Sequence, residues 1–351
     1  MRGRVRILGR LTGLALALLA LAPAATFAQA IKVTLLGTGA PPPIMQRFGP
    51  STLIEAGGQK FLIDAGRGAL QRLGQVNVRW QDVDGVFFTH LHSDHVVGFP
   101  DLWLTGWLVA PGRHRALYVY GPQGTKKMMS YLRQAYEFDI QHRLDDDRAS
   151  PDGHVVVAED IAEGVVFDKG GLRITAFEVE HTPVKPAFGY RVDYGGRSVV
   201  VSGDTRASEN LMRHAQRVDL LIHEVASPDT FRRAGVPPER TRTVIEHHTT
   251  AQQAAEVFAR TKPKVAVYSH IVLPIATEED LIPPTARAYP GPVELGEDLM
   301  VIEVDETVAV RRPASNACSG ATAVGDPSAS KPQRKPDTSR EPPARSDSHE
   351  G

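Results

Sequence analysis

The sequence predicts an α/β sandwich, with sheets inside and helices outside. Three observations lead to this prediction: β-rich runs alternate with helical segments, no repeat of fixed period is present, and the composition does not change between Ile31 and about Arg311. With 351 residues, 42% of them hydrophobic and 23% charged, the chain is long enough to bury a full core. A single domain over residues 31–311 is the simplest prediction.

The first half of this domain begins with short β-rich runs that are separated by turns of glycine and proline. The runs are IKVTLL, STLIEA and QKFLIDA, divided by GTGAPPP and GG. There follow a helix from about Arg67 to Gln75, the buried strand DGVFFTH, a helix over Val97 to Leu108, the strand ALYVYG and a helix over about Gln123 to Glu137. The polar segment QHRLDDDRASPDGH is predicted to be a loop.

The second half contains more strands before the helices return. The predicted strands are VVF, LRITAFEVE, AFGYRVDY and RSVVVSGD, and then DLLIHEV, the helix TAQQAAEVFART and the strand KVAVYSH. The strands LMVIEVD and TVAVRR close the domain. Mixed strands with helices between them are typical of the sandwich named above.

Residues 1–30 are predicted to be a signal peptide. Four arginines in MRGRVRILGR precede the short apolar run LTGLALALLALA, and small residues end the segment at Ala28 and Ala30. An uncleaved membrane anchor is the alternative, but the apolar run is shorter than the roughly 20 residues that span a bilayer. We therefore expect cleavage after Ala30, a periplasmic or secreted protein, and no membrane span in the mature chain.

Residues 312–351 are predicted to be a disordered tail, because they contain almost no aliphatic residue. This segment holds Cys318, the only cysteine, so no intrachain disulfide and no thiolate metal site can form. The formal net charge of −1 lacks the strongly basic balance that is usual where many phosphates are bound. A local basic patch is not excluded.

The segment THLHSDH places four metal-ligand residue types, His90, His92, Asp94 and His95, within six positions after an apolar run. A surface loop that is merely rich in histidine is the alternative. However, His181, Asp204 and His270 also stand at the ends of predicted strands, and strand ends at one edge of a sandwich converge. Five histidines and two aspartates can hold two divalent ions with one bridging carboxylate, which predicts hydrolysis.

These motifs resemble the metallo-β-lactamase fold superfamily, whose hallmark is T-H-x-H-x-D-H. LLGTGAPPPIMQRFGP, FLIDAGRG, LYVYGPQG, SGDT, DLLIHE and HTTA are similar to the branch that holds ribonuclease Z and the zinc arylsulfatases. The resemblance covers nearly all of Ile31 to about Asp305 and implies an αββα sandwich.

The resemblance also implies a role for each ligand residue. His90, His92 and His181 would hold one zinc ion, whereas Asp94, His95 and His270 would hold the other. Asp204 would bridge the two ions, and Asp94 would also orient or deprotonate the bridging water. The same ligands would accept manganese or iron.

His248 of HTTA matches a histidine that this branch uses near the leaving group, where it would act as a general acid. The alternative is that His247 and His248 cap the next helix, although Thr249 or Thr250 suits that role better. Glu224 in DLLIHE is a candidate partner that orients the His248 imidazole.

The leading expectation is a dinuclear zinc hydrolase of small sulfate or phosphate esters, similar to the arylsulfatases. Nucleic acid is an unlikely partner on this interpretation, because the DDD run in EFDIQHRLDDDRASPDGH would repel phosphates and an exported chain would not meet precursor RNA. The alternative is a ribonuclease Z-type endoribonuclease that processes tRNA. A lactonase, a β-lactamase or a metal-binding module without activity ranks lower, and a homodimer is left open.

Overall fold

The computed structural model describes residues 30–273 and 275–314, so the predicted signal peptide and most of the predicted tail, including Cys318, lie outside the described residues. Residues 30–313 belong to one compact unit. No helix in the two described ranges is both long enough and apolar enough to span a bilayer.

Two β-sheets form the centre of the fold, with strands numbered in chain order. The eight-stranded sheet has the order β15-β14-β1-β2-β3-β4-β5-β6 and the seven-stranded sheet has the order β13-β12-β11-β10-β9-β8-β7. The strands of the first sheet are β1 (Ile31–Gly37), β2 (Ser51–Ala56), β3 (Gln59–Ile63), β4 (Gly85–Phe87), β5 (Leu117–Gly121), β6 (Val156–Asp160), β14 (Val301–Val304) and β15 (Val308–Arg311). Those of the second are β7 (Gly164–Lys169), β8 (Leu172–Glu178), β9 (Phe188–Tyr194), β10 (Arg197–Val201), β11 (Leu220–Ala226), β12 (Val265–Val272) and β13 (Val293–Leu295).

Helices cover the outer faces of both sheets. The helices in the described residues are α1 (Ala69–Gln75), α2 (Ser93–Val96), α3 (Phe99–Leu108), α4 (Thr125–Ala135), α5 (Glu137–Asp145), α6 (Glu209–His214), α7 (Pro228–Arg233), α8 (Pro238–Ile245), α9 (Ala251–Thr261) and α10 (Glu278–Ala286). One apolar cluster packs α1, α3 and α4 on the first sheet, and another packs α6, α9 and α10 on the second. The predicted αββα sandwich is confirmed.

The central core lies between the sheets. The Phe87 ring meets the Tyr190 ring edge to face at 5.5 Å, and the Tyr190 hydroxyl donates to the Phe88 carbonyl oxygen at 2.7 Å. The Phe188 N–H donates to the Thr89 carbonyl oxygen at 2.8 Å, so the two sheets are also joined by backbone next to the THLHSDH segment. Burial of these rings stabilises the sandwich and fixes the distance between the sheets.

Strand direction explains where the site forms. Strands β3 to β6 are parallel in the first sheet, and β10 to β13 are parallel in the second. Val201 pairs with Ile222, which in turn pairs with Val267, so the ends of β10, β11 and β12 are aligned. Side chains that follow these ends therefore meet at one edge of the sandwich.

Several details of the predicted elements are wrong. The segment predicted as a loop begins within α5, where Arg143 pairs with Asp139 and Asp147 one helical turn to either side and thereby supports the helix. The strand before the histidine cluster ends at Phe87, three residues before His90. The short helices α6, α7, α8 and α10 were not predicted, because so few residues give little hydrophobic periodicity.

Candidate active site

Seven side chains from four separate parts of the chain meet at the aligned strand ends. The loop after β4 and the start of α2 supply four of them, and the loops after β8 and β10 and the strand β12 supply one each. The seven are His90, His92, Asp94, His95, His181, Asp204 and His270, which are the residues that the sequence singled out as metal ligands.

The first group combines three imidazoles with one carboxylate. The possible ligand atoms of His90, His92, His181 and Asp204 all lie within 4.8 Å of one another. His92 Nδ1 is 2.9 Å from His90 Nε2 and 3.4 Å from His181 Nε2. His181 Nδ1 donates to the His247 carbonyl oxygen at 3.0 Å, which leaves Nε2 directed at the group. Such a donor set suits a divalent ion.

The second group lies beside the first and shares Asp204 with it. Asp94, His95 and His270 form this group, again within 4.8 Å. Asp204 Oδ2 is 3.4 Å from His95 Nε2 and 3.8 Å from His90 Nε2, while Asp204 Oδ1 is 3.4 Å from His270 Nε2. Asp204 therefore lies between the two groups, in the position that a bridging carboxylate requires.

Buried atoms without partners support a metal at this place. His95 Nε2 and Asp204 Oδ1 are buried and have no hydrogen-bond partner among the residues that the structure describes. Leaving such atoms unpaired costs free energy, which a bound cation would recover. The residues present therefore fit divalent metal ions.

Burial and charge favour the protonation states that metal ligands need at four of the seven residues. Burial lowers the pKa of His90, His92 and His181, so these imidazoles are neutral near pH 7. Burial alone would raise the pKa of Asp94, but the hydrogen bond and charge of His270 lower it to about 2. Asp94 is therefore ionised at neutral pH.

Asp64 is a further functional residue, which the sequence reasoning did not single out. It follows β3 in FLIDAGRG, and its Oδ2 lies 2.7 Å from His95 Nδ1. The Thr89 N–H and Oγ1 donate to the same carboxylate at 2.8 and 2.9 Å, which fixes its position. Burial alone would lower the pKa of His95, yet Asp204 and Asp64 raise it well above the usual range. A cation is therefore stabilised at this end of the site.

His270 lies inside β12, not at its end. Ser269 pairs with Glu224 and Ile271 pairs with Val225, so His270 is an extra residue in a β-bulge. Its φ of 39° is in the left-handed region, which is unusual for histidine. A bulge redirects a side chain, and here it turns the imidazole toward Asp94 and Asp204.

His248 and Glu224 form the predicted pair beside the metal-ligand groups. His248 Nδ1 is 3.1 Å from Glu224 Oε1, which also accepts the N–H groups of Thr205 at 3.0 Å and Thr249 at 3.2 Å. Burial alone would lower the pKa of His248, but the charge and hydrogen bond of Glu224 raise it to about 9. His248 is thus a protonated imidazole at neutral pH. The ring also lies close to Asp204 and His270, and these three residues form a third group of possible ligands.

A cleft of about 400 Å³ opens above these groups. His92, Asp94, Asp204, His248 and His270 line its floor. Pro41 and Pro42, in the loop between β1 and β2, line one wall. This loop folds back so closely on itself that a Cβ atom on Gly37 would lie 1.9 Å from the Gly49 carbonyl oxygen.

Neither His247 nor His248 caps the helix that follows. The cap of α9 is Thr250, whose hydroxyl accepts the Gln253 N–H at 3.3 Å, while Gln253 Oε1 accepts the Thr250 N–H at 2.9 Å. The capping alternative for His248 is therefore wrong, because its ring is turned toward Glu224 instead.

The four-layer sandwich and the paired histidine and aspartate groups define a metal-dependent hydrolase. Residues 59–271 match the family model described as a beta-lactamase superfamily domain. The chain is 36% identical over 287 residues to a ribonuclease Z of Mycolicibacterium gilvum, with 80% of this chain and 99% of that one covered.

Solved structures agree with this match. Human tRNase Z, short form, superposes with a TM-score of 0.56 at 25% identity and covers 77% of this chain and 98% of its own. The metallo-beta-lactamase fold protein YhfI from Bacillus subtilis has a TM-score of 0.58 at 17% identity, covers 78% and 99%, and shows the fold alone. The chain belongs to the metallo-β-lactamase superfamily, in its ribonuclease Z branch.

These relatives correct one expectation from the sequence. The prediction of a small-molecule ester as partner, with nucleic acid unlikely, is wrong, because the relatives are named as nucleases and one as a tRNA nuclease. That expectation rested on the acidic run Asp145–Asp147. That run is at the end of α5, does not line the cleft, and is partly neutralised by the ion pair between Asp147 and Arg143.

Proposed function

We propose that this chain is a dinuclear zinc-dependent endoribonuclease of the ribonuclease Z type, which cleaves phosphodiester bonds at the 3′ end of tRNA precursors. The observation that carries the proposal is the 36% identity to a ribonuclease Z along 99% of that enzyme's length. This similarity favours the nuclease over the arylsulfatase interpretation. The proposed ligands are His90, His92 and His181 for one ion and Asp94, His95 and His270 for the other, with Asp204 between them.

The metals and the protein side chains would divide the reaction between them. When bound, divalent ions supply Lewis acidity, which activates water as a nucleophile and stabilises charge on the phosphoryl oxygens. Asp94 is ionised, so its carboxylate can accept a hydrogen bond from the attacking water and orient it. His248 is protonated and buried beside the cleft floor, so it can donate a proton to the departing ribose oxygen.

Glu224 acts through His248 and does not touch the substrate. Its carboxylate holds the imidazole Nδ1 and stabilises the cationic form, which leaves Nε2 as the proton donor. Two backbone N–H groups hold the same carboxylate oxygen in place. Glu224 is therefore proposed as a positioning residue.

The direct test is cleavage of a tRNA precursor that carries a 3′ trailer. Metal-free protein reloaded with zinc should release the trailer in a single cut and should contain two zinc ions per chain by mass spectrometry. His90→Ala should lose both properties. Hydrolysis of 4-nitrophenyl sulfate without any cleavage of RNA would contradict the proposal.

The cellular location determines where such an enzyme meets RNA. We also propose that residues 1–30 are removed as a signal peptide, which would place the mature chain outside the cytoplasm. Cell fractionation with N-terminal sequencing tests this: a mature protein that begins at Ile31 in the periplasm supports export, and an intact Met1 in the cytoplasm contradicts it. An exported enzyme would keep its phosphodiesterase activity toward a tRNA precursor in vitro, but its substrate in the cell would be RNA outside the cytoplasm.

A further inference from the structure

One wall of the cleft combines an apolar surface with a single guanidinium group. The helices α7 and α8, the loop that joins them, and the residues at and just after the end of β12 supply the apolar side chains of this wall, which are Phe231, Val236, Val244, Val272 and Leu273. Arg240 of α8 lines the same cleft and is the only arginine or lysine among the described residues that do so. The cleft therefore offers a cation and an apolar surface side by side, above the ionised floor.

Arg240 has no carboxylate partner among the residues that the structure describes. It is exposed, and no ion pair or side-chain hydrogen bond is formed by it within the described ranges. The two arginines of α7 differ, because Arg232 pairs with Asp229 at 2.8 Å and Arg233 pairs with Asp280 at 2.7 Å. An unpaired guanidinium beside a catalytic cleft is free to bind an anion, and its planar fork matches the oxygens of a phosphate.

The wall that carries Arg240 is connected to the body of the protein through α7 and through the partly buried Val244 and Ile245 of α8. Phe231 packs in a small apolar cluster with Ala226 of β11 and Val272 of β12. Arg233 Nη1 and Nη2 donate to the two carboxylate oxygens of Asp280 at 2.7 Å each, which ties α7 to the start of α10. A group on a supported wall binds its ligand with less loss of entropy than a group on a free loop.

We propose that Arg240 binds a phosphate of the nucleotide next to the scissile bond, and that the neighbouring apolar wall accommodates the base of that nucleotide. The inference rests on the proposed function and deepens it, because it assigns a specificity residue to the same cleft. The ligand class is a nucleoside phosphate: its anion needs the guanidinium and its flat base needs an apolar surface. The volume of about 400 Å³ suits a ligand of this size.

Arg242 is a matched control on the same helix. It is also exposed, but it lines a shallow groove on the other side of α8 together with Arg232 and Ile245. Removing either arginine changes the net charge equally. A difference between Arg240→Ala and Arg242→Ala therefore reports the position of the charge and not its amount.

The test measures binding of uridine 5′-monophosphate to the zinc-loaded protein by calorimetry, together with kcat and KM for bis(4-nitrophenyl) phosphate. Arg240→Ala should weaken binding and raise KM by about 10-fold to 100-fold while kcat stays within about threefold, since a charged hydrogen bond in the ground state is lost. Arg240→Lys should restore part of the affinity, because it keeps the charge but not the fork. Arg242→Ala should change either quantity by less than about twofold.

Equal losses in both alanine variants, or a fall in kcat at constant KM for Arg240→Ala, would overturn the inference. Absence of nucleotide binding by the wild-type protein would also overturn it, even if RNA is cleaved. Conversely, if the wild-type protein binds the nucleotide through Arg240 but cleaves no tRNA precursor, the inference stands and the proposed function fails. Circular dichroism of each variant checks the fold, which an exposed residue without partners should leave unchanged.

Discussion

Glu224 Oε1 lies 3.1 Å from His248 Nδ1, and this carboxylate keeps the imidazole protonated at the edge of the cleft floor. The pair joins β11 to the residues just before α9, two elements that are distant in sequence. It gives the site a proton donor that is separate from the residues proposed to bind metal.

His248→Ala should lower kcat by about 100-fold to 10,000-fold, the range for loss of a general acid. The zinc content should stay at the wild-type value, because the seven proposed ligands are intact. Elemental analysis and trailer cleavage measured on the same sample test this. His247→Ala is the matched control, since His181 uses only the backbone carbonyl of His247. Loss of metal together with turnover would assign His248 to metal binding instead.

Asp64→Asn should weaken metal binding by about 10-fold to 100-fold, as is typical when the hydrogen-bond partner of a ligating histidine is removed. The amide presents a donor where His95 Nδ1 and the Thr89 hydroxyl both need an acceptor. Competition with a chromophoric chelator measures the affinity. Asp84→Asn serves as control. Asp84 also accepts a backbone N–H, that of Lys60, but it precedes the start of β4, at the edge of the sheet opposite the site. Equal affinities for the wild type and Asp64→Asn would refute the orienting role.

Asp298→Ala should lower the free energy of unfolding by about 3–5 kcal/mol, because it leaves a buried arginine without its partner. Asp298 accepts from the Thr38 N–H at 2.9 Å, from the Phe48 N–H at 2.7 Å and from Arg72 Nη2 at 2.9 Å. The side chains of Asp298 and Arg72 are only 1% and 4% exposed. Urea unfolding measures the loss.

The exposed pair of Arg173 and Asp168 provides the comparison for Asp298→Ala. These two side chains are 56% and 49% exposed, and Asp168→Ala should cost less than about 1 kcal/mol. If both variants lose the same stability, burial is not what makes Asp298 important.

Asp219→Asn should lower the free energy of unfolding by about 1 kcal/mol near pH 7, because Lys264 loses its charged partner. Asp219 Oδ1 lies 2.7 Å from Lys264 Nζ, and Oδ2 accepts the Ser198 N–H at 2.8 Å. Burial alone would raise the pKa of Asp219, but the Lys264 and Ser198 hydrogen bonds lower it.

The sign of this shift determines the pH dependence of the Asp219→Asn effect. A depressed pKa in the folded state stabilises the protein fully above the unfolded pKa of about 3.9, and this contribution is lost as the pH falls through the folded pKa. The difference between wild type and variant should therefore be constant from about pH 7 to pH 5 and should decrease as the pH falls below the unfolded pKa of about 3.9. Urea unfolding at each pH measures it, and a difference that persists at low pH would mean that the charge of Asp219 is not its cause.

Much of the site was accessible from the sequence because strand ends are recognisable. His181 and Asp204 follow apolar runs, and His90 to His95 form a dense cluster, so their convergence could be predicted once a sandwich was assumed. Asp64 could not be found in this way. Asp64 acts only through His95, and its contact needs the register of β3 and β4, which the sequence does not state.

The position of His270 and the wall of the cleft were also inaccessible. A one-residue bulge leaves no signal in the hydrophobic pattern of the sequence. The strand was therefore predicted to end at His270, whereas it continues to Val272. Helices α7 and α8 span six and eight residues, and the proposed role of Arg240 depends on which face of α8 borders the cleft. Tertiary packing, and not local propensity, decides that orientation.

The seven proposed ligands are divided between the two halves of the sandwich: four follow β4 of one sheet, and three belong to loops and a strand of the other. The distance between opposed ligands thus depends on the rings packed between the sheets, among them Phe87 and Tyr190. A repacking of the interior that moves one layer by a fraction of an ångström would shift one half of the coordination shell against the other. Substitutions in the core between the sheets can therefore change the metal preference of the site. Relatives that replace these aromatic rings should differ in metal preference even where all seven ligands are identical.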